Sequence, residues 1–279
     1  MLFRSASNPS SYNVETNAFT LNNPTKEGYT FKGWTGSNGT TPQTTVTIAK
    51  GSTGNKSFVA NWEKTNYTIT YNLDGGSVPH PSSYNIETNT FTLNNPTRSG
   101  YTFKGWTGSN GNIPQTTVTI ANGSTGNKSY TANWQVINYS LTYDLGGGSA
   151  SNPSSYNVET STFTLNNPTR TGYTFKGWTG SNGSVPQTNV TIEKGSTGNK
   201  TFAANWEVAS YSITYNLDGG VATNPTNYNI ETNTFTISNP TKEGYTFKGW
   251  TGSNGTTPET TVIIEKGSTG NKTFVATGK

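Results

Sequence analysis

Apolar and polar residues alternate over short stretches of this chain, and no window sets apolar residues at i, i+3, i+4 and i+7. In one stretch Tyr67, Ile69, Tyr71 and Leu73 alternate with Thr68, Thr70 and Asn72. Period two predicts a strand with one apolar face. Asp74-Gly75-Gly76 predicts the turn that ends it, because Gly supplies positive φ angles. Pro79-His80-Pro81 predicts a loop, since Pro restricts itself and the residue before it. Tyr84 and Ile86 alternate again, then Glu87-Thr88-Asn89 marks a turn. Phe91 and Leu93 begin a short strand that Asn94-Asn95-Pro96 stops. Tyr101 and Phe103 share a face of the next strand, and Trp106 would fall on the opposite one. A bulge at Gly105 would return Trp106 to the core side. After the loop Gly108-Ser109-Asn110-Gly111, Val118 and Ile120 alternate with Thr117 and Thr119. A Gly/Asn/Ser cluster at 122–127 predicts another turn. Tyr130, Ala132 and Trp134 share one face of a last strand.

This pattern recurs. Gly-Tyr-Thr-Phe-Lys-Gly-Trp occurs four times, with tryptophans Trp34, Trp106, Trp178 and Trp250 spaced 72 residues apart. Trp62, Trp134 and Trp206 form a second series with the same step, and these seven are all the tryptophans. The chain is therefore an array of one unit. The predicted repeats are repeat 1 at 1–62, repeat 2 at 67–134, repeat 3 at 139–206 and repeat 4 at 211–279. The periodicity is equally compatible with a phase running from the Tyr12-type segment through the next Leu-Asp-Gly-Gly. Links such as Gln135–Asn138 hold neither Gly nor Pro, which predicts a stiff or semi-stiff array. Repeat 1 has no match to the Tyr67–Leu73 strand; Met1–Arg4 stand where its tail would be. That predicts unpaired backbone, early fraying or strand exchange with another chain. In repeat 4, Ala276-Thr277-Gly278 replaces Ala-Asn-Trp, so the closing tryptophan is missing.

Composition changes the picture in one respect. Only 29% of the residues are hydrophobic, which alone leans toward disorder. Against this stand 7 Trp, 15 Tyr and 12 Phe at regular positions. Each ring can bury ~150–250 Å², so a few can build a thin core in a unit that buries only roughly 60% of its unfolded surface. The expected core is Trp34, Trp62, Trp106, Trp134, Trp178, Trp206 and Trp250, with Tyr101 and Phe103. There is no cysteine, hence no disulfide scaffold or thiolate metal site. A net charge of +4, spread over four repeats, is too dilute for a nucleic-acid stripe. No stretch approaches 18 apolar residues, so no membrane span is expected. Met1–Arg4 are too short for a signal peptide.

Three segments, Tyr67–Gly76, Asn95–Trp106 and Tyr130–Trp134, together with their copies, resemble the Listeria–Bacteroides repeat, the family of the B-repeat of internalin B. The resemblance covers nearly the whole chain. It implies a mainly β, β-grasp-like (ubiquitin-like) unit used in tandem in bacterial surface proteins, between an anchor and a distal domain. It also implies an extracellular, cell-surface location.

No constellation predicts catalysis. A repeated active site needs its groups in every repeat, yet the single histidine is His80, so Ser–His and Cys–His arrangements are excluded from three repeats. Glu15, Glu87, Glu159 and Glu231 recur, as do Asp74 and Asp218, but repeat 3 has Gly146 in place of the Asp. These are read as solvated turn carboxylates rather than a glycosidase pair. Asn72-Leu73-Asp74-Gly75-Gly76 has too few oxygen ligands for calcium, and Gly-Ser-Asn-Gly lacks the end of a phosphate loop. Thr-rich strands such as 116–120 suit a wet sheet face better than an ice-binding one. Lys104 and Lys128 are expected to be solvated, a contact with cell-wall polyanions being the lesser reading. Tyr residues, with their polar tips, are expected to be partly exposed; Tyr84 and Lys104 are the candidate ligand contacts. The expectation is a non-enzyme without cofactor or metal, serving as a structural stalk or spacer. The alternative is a multivalent array binding host or cell-wall glycans or proteins, gaining by avidity.

Overall fold

In a computed structural model, described here at residues 3–4 and 7–279, the chain divides into two units, residues 1–137 and 138–279. Each holds two copies of the pattern. Among the described residues every regular element is a strand and none is a helix.

Repeat 2 shows the complete arrangement. Its five-stranded sheet runs in the order Gly111–Gln115, Tyr101–Gly108, Lys128–Val136, Tyr67–Asn72, Ser83–Tyr84. The Lys128–Val136 and Tyr67–Asn72 strands are parallel, with Lys128 opposite Ile69 and Tyr130 opposite Tyr71; the other neighbours are antiparallel. A two-stranded ribbon, Phe91–Thr92 with Thr119–Ile120, packs its apolar side chains onto this sheet. The alternation seen in the sequence is the cause: Ile69, Leu93, Val118 and Ile120 turn inward and are buried, while Thr68, Thr70, Thr92 and Thr119 face water.

The bulge is present. The register between Tyr101–Gly108 and Lys128–Val136 shifts between Phe103 and Gly105, and Trp106 is 0% exposed. Gly105 has φ +130°, and a Cβ there would lie 2.5 Å from the backbone nitrogen of Gln115. Only glycine fits that approach. The outer edge strand, Gly111–Gln115, is exposed throughout and carries Pro114, which withholds a donor from any further strand.

Repeats 3 and 4 keep this sheet order, with the Tyr139–Asp144 and Tyr211–Asn216 strands in the parallel position. Repeat 1 differs. Its sheet joins Phe3–Arg4, Thr25–Lys26, Tyr29–Gly36 and Gly39–Gln43, with Phe58–Lys64 pairing on Tyr29–Gly36. Among the described residues no strand lies on the other side of Phe58–Lys64, and residues 11–12 form none, whereas 83–84, 155–156 and 227–228 do.

Candidate functional site

Within each unit a recurrent tyrosine and a recurrent glutamate meet where its first repeat joins its second. In the first unit, Gly28 has φ +75°, and a Cβ on it would lie 2.5 Å from Cδ1 of Ile86 in repeat 2. The next residue, Tyr29, donates its hydroxyl to Oε1 of Glu87 at 2.6 Å. Lys64 Nζ lies 2.6 Å from the other carboxylate oxygen of Glu87. The link is tied back, with the Thr65 amide donating to the Gly28 carbonyl at 2.9 Å. Glu87 is presented by its own turn: Asn85 Oδ1 accepts from the Glu87 amide at 3.1 Å, and Thr88 Oγ1 accepts from the Asn85 amide at 2.9 Å.

The second unit repeats the arrangement. A Cβ on Gly172 would lie 2.5 Å from Ile230 Cδ1, the Tyr173 hydroxyl donates to Glu231 Oε1 at 2.7 Å, and the Ala209 amide donates to the Gly172 carbonyl at 2.9 Å. Val208 occupies the position of Lys64, so this junction lacks that ion pair. Hydrogen bonding from Lys64 and then Tyr29 holds the Glu87 carboxyl below its ordinary range. The bonds to Glu87 and Glu231 push the Tyr29 and Tyr173 hydroxyls up. The carboxylates and Lys64 are exposed and the two tyrosines half-buried, so the junction bonds orient more than they stabilise.

Nothing here resembles a nucleophile with its base. Among the described residues no three of His, Asp or Glu converge to hold a metal. His80 stacks on Tyr71 with ring centroids 3.8 Å apart. It stands where Asn8, Asn152 and Asn224 bridge to the carbonyls of Asn22, Asn166 and Ser238. Burial pushes the Tyr71 hydroxyl up to about 12.

The family model for the Listeria-Bacteroides repeat domain matches residues 4–61, 67–133, 139–205 and 211–277. The chain belongs to this family. Among its relatives is a putative Gly-rich membrane protein of Evansella cellulosilytica, 26% identical over 235 residues, which are 81% of this chain and 26% of that protein. Internalin H of Listeria monocytogenes is 32% identical over 83 residues, 30% of this chain and 15% of that protein. The chain thus spans about a quarter or less of the length of these curated relatives. No helix among the described residues is long and apolar enough to cross a membrane.

The tryptophans of these Listeria-Bacteroides repeats fall into two environments. Trp106, Trp178 and Trp250 are fully buried, and Trp34 is half-buried. Trp34, Trp178 and Trp250 donate Nε1–H to Asn23, Asn167 and Asn239. Trp62, Trp134 and Trp206 are half-buried, Trp134 packing against the rim of the repeat 2 core. Trp134 lies on Gly76 and donates to the Leu73 carbonyl at 3.1 Å; Trp206 does the same with Gly148 and Leu145. Phe103 sits edge-on between Trp106 and Trp134, with ring centroids 5.4 Å from each. Tyr101 is half-buried under the Arg98 guanidinium at 3.8 Å.

Two expectations need correction. Tyr84 is 3% exposed and gives its hydroxyl to the Gly126 carbonyl. Its strand pairs beside Tyr67–Asn72 and its ring packs against that of Tyr67, with no face open to a ligand. Glu87 and Glu231 are not merely solvated turn carboxylates, because each accepts a bond from the preceding repeat. Both pairs are 58 residues apart, Tyr29–Glu87 and Tyr173–Glu231, as any two repeated positions must be at a fixed distance. Lys104 is exposed, and Gln135 stands in repeat 2 at the position where Glu63 and Glu207 meet Lys32 and Lys176 at 2.9 Å.

Asp74 and Asp218 have positive φ, 45° and 49°, and Gly146 takes 55° at the same position. The carboxylate can be lost in repeat 3 because the position selects for a left-handed backbone, which Asp tolerates and Gly prefers.

Proposed function

We propose that this chain is a non-catalytic spacer or stalk in a bacterial cell-surface protein, its repeats bounded at 1–62, 67–134, 139–206 and 211–279. The observation that carries the reading is the duplicated junction: the same Tyr-to-Glu bond and Gly-on-Ile contact within both units. A contact rebuilt within each unit favours function by copy number, because reach then scales with the number of repeats. The names of the relatives, a membrane protein and an internalin, support a surface location for this chain.

Each repeat is read as β-grasp-like. The order second, first, last, third, fourth strand, with a parallel first–last pair at the centre, supports this reading, and the two-stranded ribbon takes the place of a crossing helix. A glycan- or protein-binding array would need an exposed aromatic patch in every repeat. Among the described residues the one Phe, Tyr or Trp ring left largely exposed is Tyr245, in repeat 4 alone.

Small-angle scattering on arrays of two, four and six repeats tests the spacer. The expected result is a maximum dimension that grows linearly with repeat number; a radius of gyration growing as for a compact globule would refute it.

A further inference from the structure

Repeat 1 contains an open groove of about 810 Å³, lined by Ser10, Tyr12, Trp34, Asn55, Lys56 and Phe58 among others. Each of these positions has a counterpart in the other repeats, and there the counterparts grip one strand. In repeat 2, Tyr67–Asn72 lies between two neighbours, parallel to residues 128–131 and antiparallel to Ser83–Tyr84. The Asn127 side chain accepts from the Thr68 amide at 3.0 Å, and the Ser82 carbonyl accepts from the Ile69 amide at 2.8 Å. In repeat 3 Asn199 and Ser154 accept the same two bonds, and in repeat 4 Asn271 and Thr226 do. The counterparts in repeat 1 are Asn55 and Ser10, both on the groove wall. The groove floor is apolar in the same way: Trp34 and Phe58 are half-buried where Trp106 and Tyr130 are covered by Tyr71.

We infer that this groove is an acceptor for one added β-strand carrying the pattern Tyr-x-(Ile/Leu)-Thr-Tyr-x-Leu, supplied by a segment not already built into a folded repeat. It would lie parallel to the Phe58–Lys64 edge with its Ile or Leu opposite Lys56 and its second Tyr opposite Phe58, the register found three times in this molecule. Main-chain bonds would hold the strand, and inward Tyr and Ile side chains would select it. The groove fixes the occupant's chemistry because this chain displays the filled form in repeats 2, 3 and 4. A second copy is the poorer donor: its matching strands are paired on both sides, and withdrawing one would open that repeat's own core. The inference stands independently of the spacer reading.

The test adds a synthetic peptide of sequence Tyr-Thr-Ile-Thr-Tyr-Asn-Leu-Asp-Gly-Gly to the full 279-residue chain and follows binding together with site-resolved hydrogen exchange. The expected result is a one-to-one complex that slows exchange about tenfold or more at residues 10–12 and 56–59, leaving repeats 2–4 unchanged. A peptide with Asp in place of its Ile should not bind. Asn55→Ala in the protein, at an exposed side chain, should weaken binding about three- to tenfold through loss of one hydrogen bond. The inference is overturned by no binding at about 1 mM peptide, by protection spread over all four repeats, or by equal binding of the Asp peptide. It is overturned too if the groove is already protected in a concentration-dependent dimer, which would make the occupant a second copy.

Discussion

Repeats 1 and 2 share the Gly-Tyr-Thr-Phe-Lys-Gly-Trp segment, the bulge and the edge strand, yet their interiors differ. The register shifts between Phe31 and Gly33 as it does between Phe103 and Gly105. Trp34 is nonetheless half-buried and Trp106 fully buried. Tyr12 and Phe58 are half-buried where Tyr84 and Tyr130 are buried. The bulge is thus a local property of the sequence around the glycine. Burial of the ring it points inward is not: that depends on a strand some 35 residues earlier in the chain. Local chemistry aims the tryptophan, and the first strand closes the core over it.

Several substitutions press on this difference. The largest effect belongs to Trp106→Ala, which should cost repeat 2 about 3–5 kcal/mol, while Trp34→Ala should cost repeat 1 clearly less. Hydrogen exchange resolved by repeat reads the two separately, which a single melting curve of an array does not. Equal losses would mean that the strand adds nothing to the tryptophan's burial. Next come Gly33→Ala and Gly105→Ala, each forced into a strained backbone against Gln43 or Gln115. Both should lose about 1–3 kcal/mol, and to a similar extent, because the bulge is common to both repeats. A large disparity would contradict its local origin.

A smaller effect is expected at the other incomplete repeat. Gly278 leaves a slot beside Leu217, Gly220, Pro240 and Phe247, where Trp134 and Trp206 lie in repeats 2 and 3. Gly278→Trp should fill it and raise the stability of repeat 4 by about 1–2 kcal/mol, measured as slower exchange along Lys272–Gly278.

The smallest effect is that of pH on the junctions. The Glu87 carboxyl is held low by Lys64 and Tyr29, so its contribution is complete above the usual glutamate pKa of about 4.3. It is lost as pH falls through the depressed value in the folded protein. Tyr29 is raised by the same bond, so its contribution holds below the usual tyrosine pKa of about 10 and is lost as pH rises through its folded value. A carboxyl-detected NMR titration should place the Glu87 midpoint below that of Glu87 in a Lys64→Met variant; coincident midpoints would remove the ion pair from the account.

Much of this was legible in the sequence, and for physical reasons. Alternation at Tyr67–Leu73 and Val118–Ile120 marks strands because one face is wet. The extra residue before Trp106 demands a bulge, and Gly105 permits one. The junction was not legible, because Tyr29 and Glu87 are polar, outside the cores and in different repeats, and periodicity within a repeat says nothing about its neighbour. The half-buried state of Trp134 was also missed. Its strand face points inward, but Gly76 and the Leu73 carbonyl hold the indole at the rim. Nor does the sequence reveal that Asp74 and Gly146 share one left-handed position.

The most direct measurement is native-state hydrogen exchange of the unmodified chain, comparing amides of the Tyr29–Gly36 strand with those of Tyr101–Gly108. If the first strand closes the core, the former should exchange faster than their counterparts around Trp106 by about tenfold or more. Equal protection of the two strands would show that a repeat closes its core without that strand and would contradict the account.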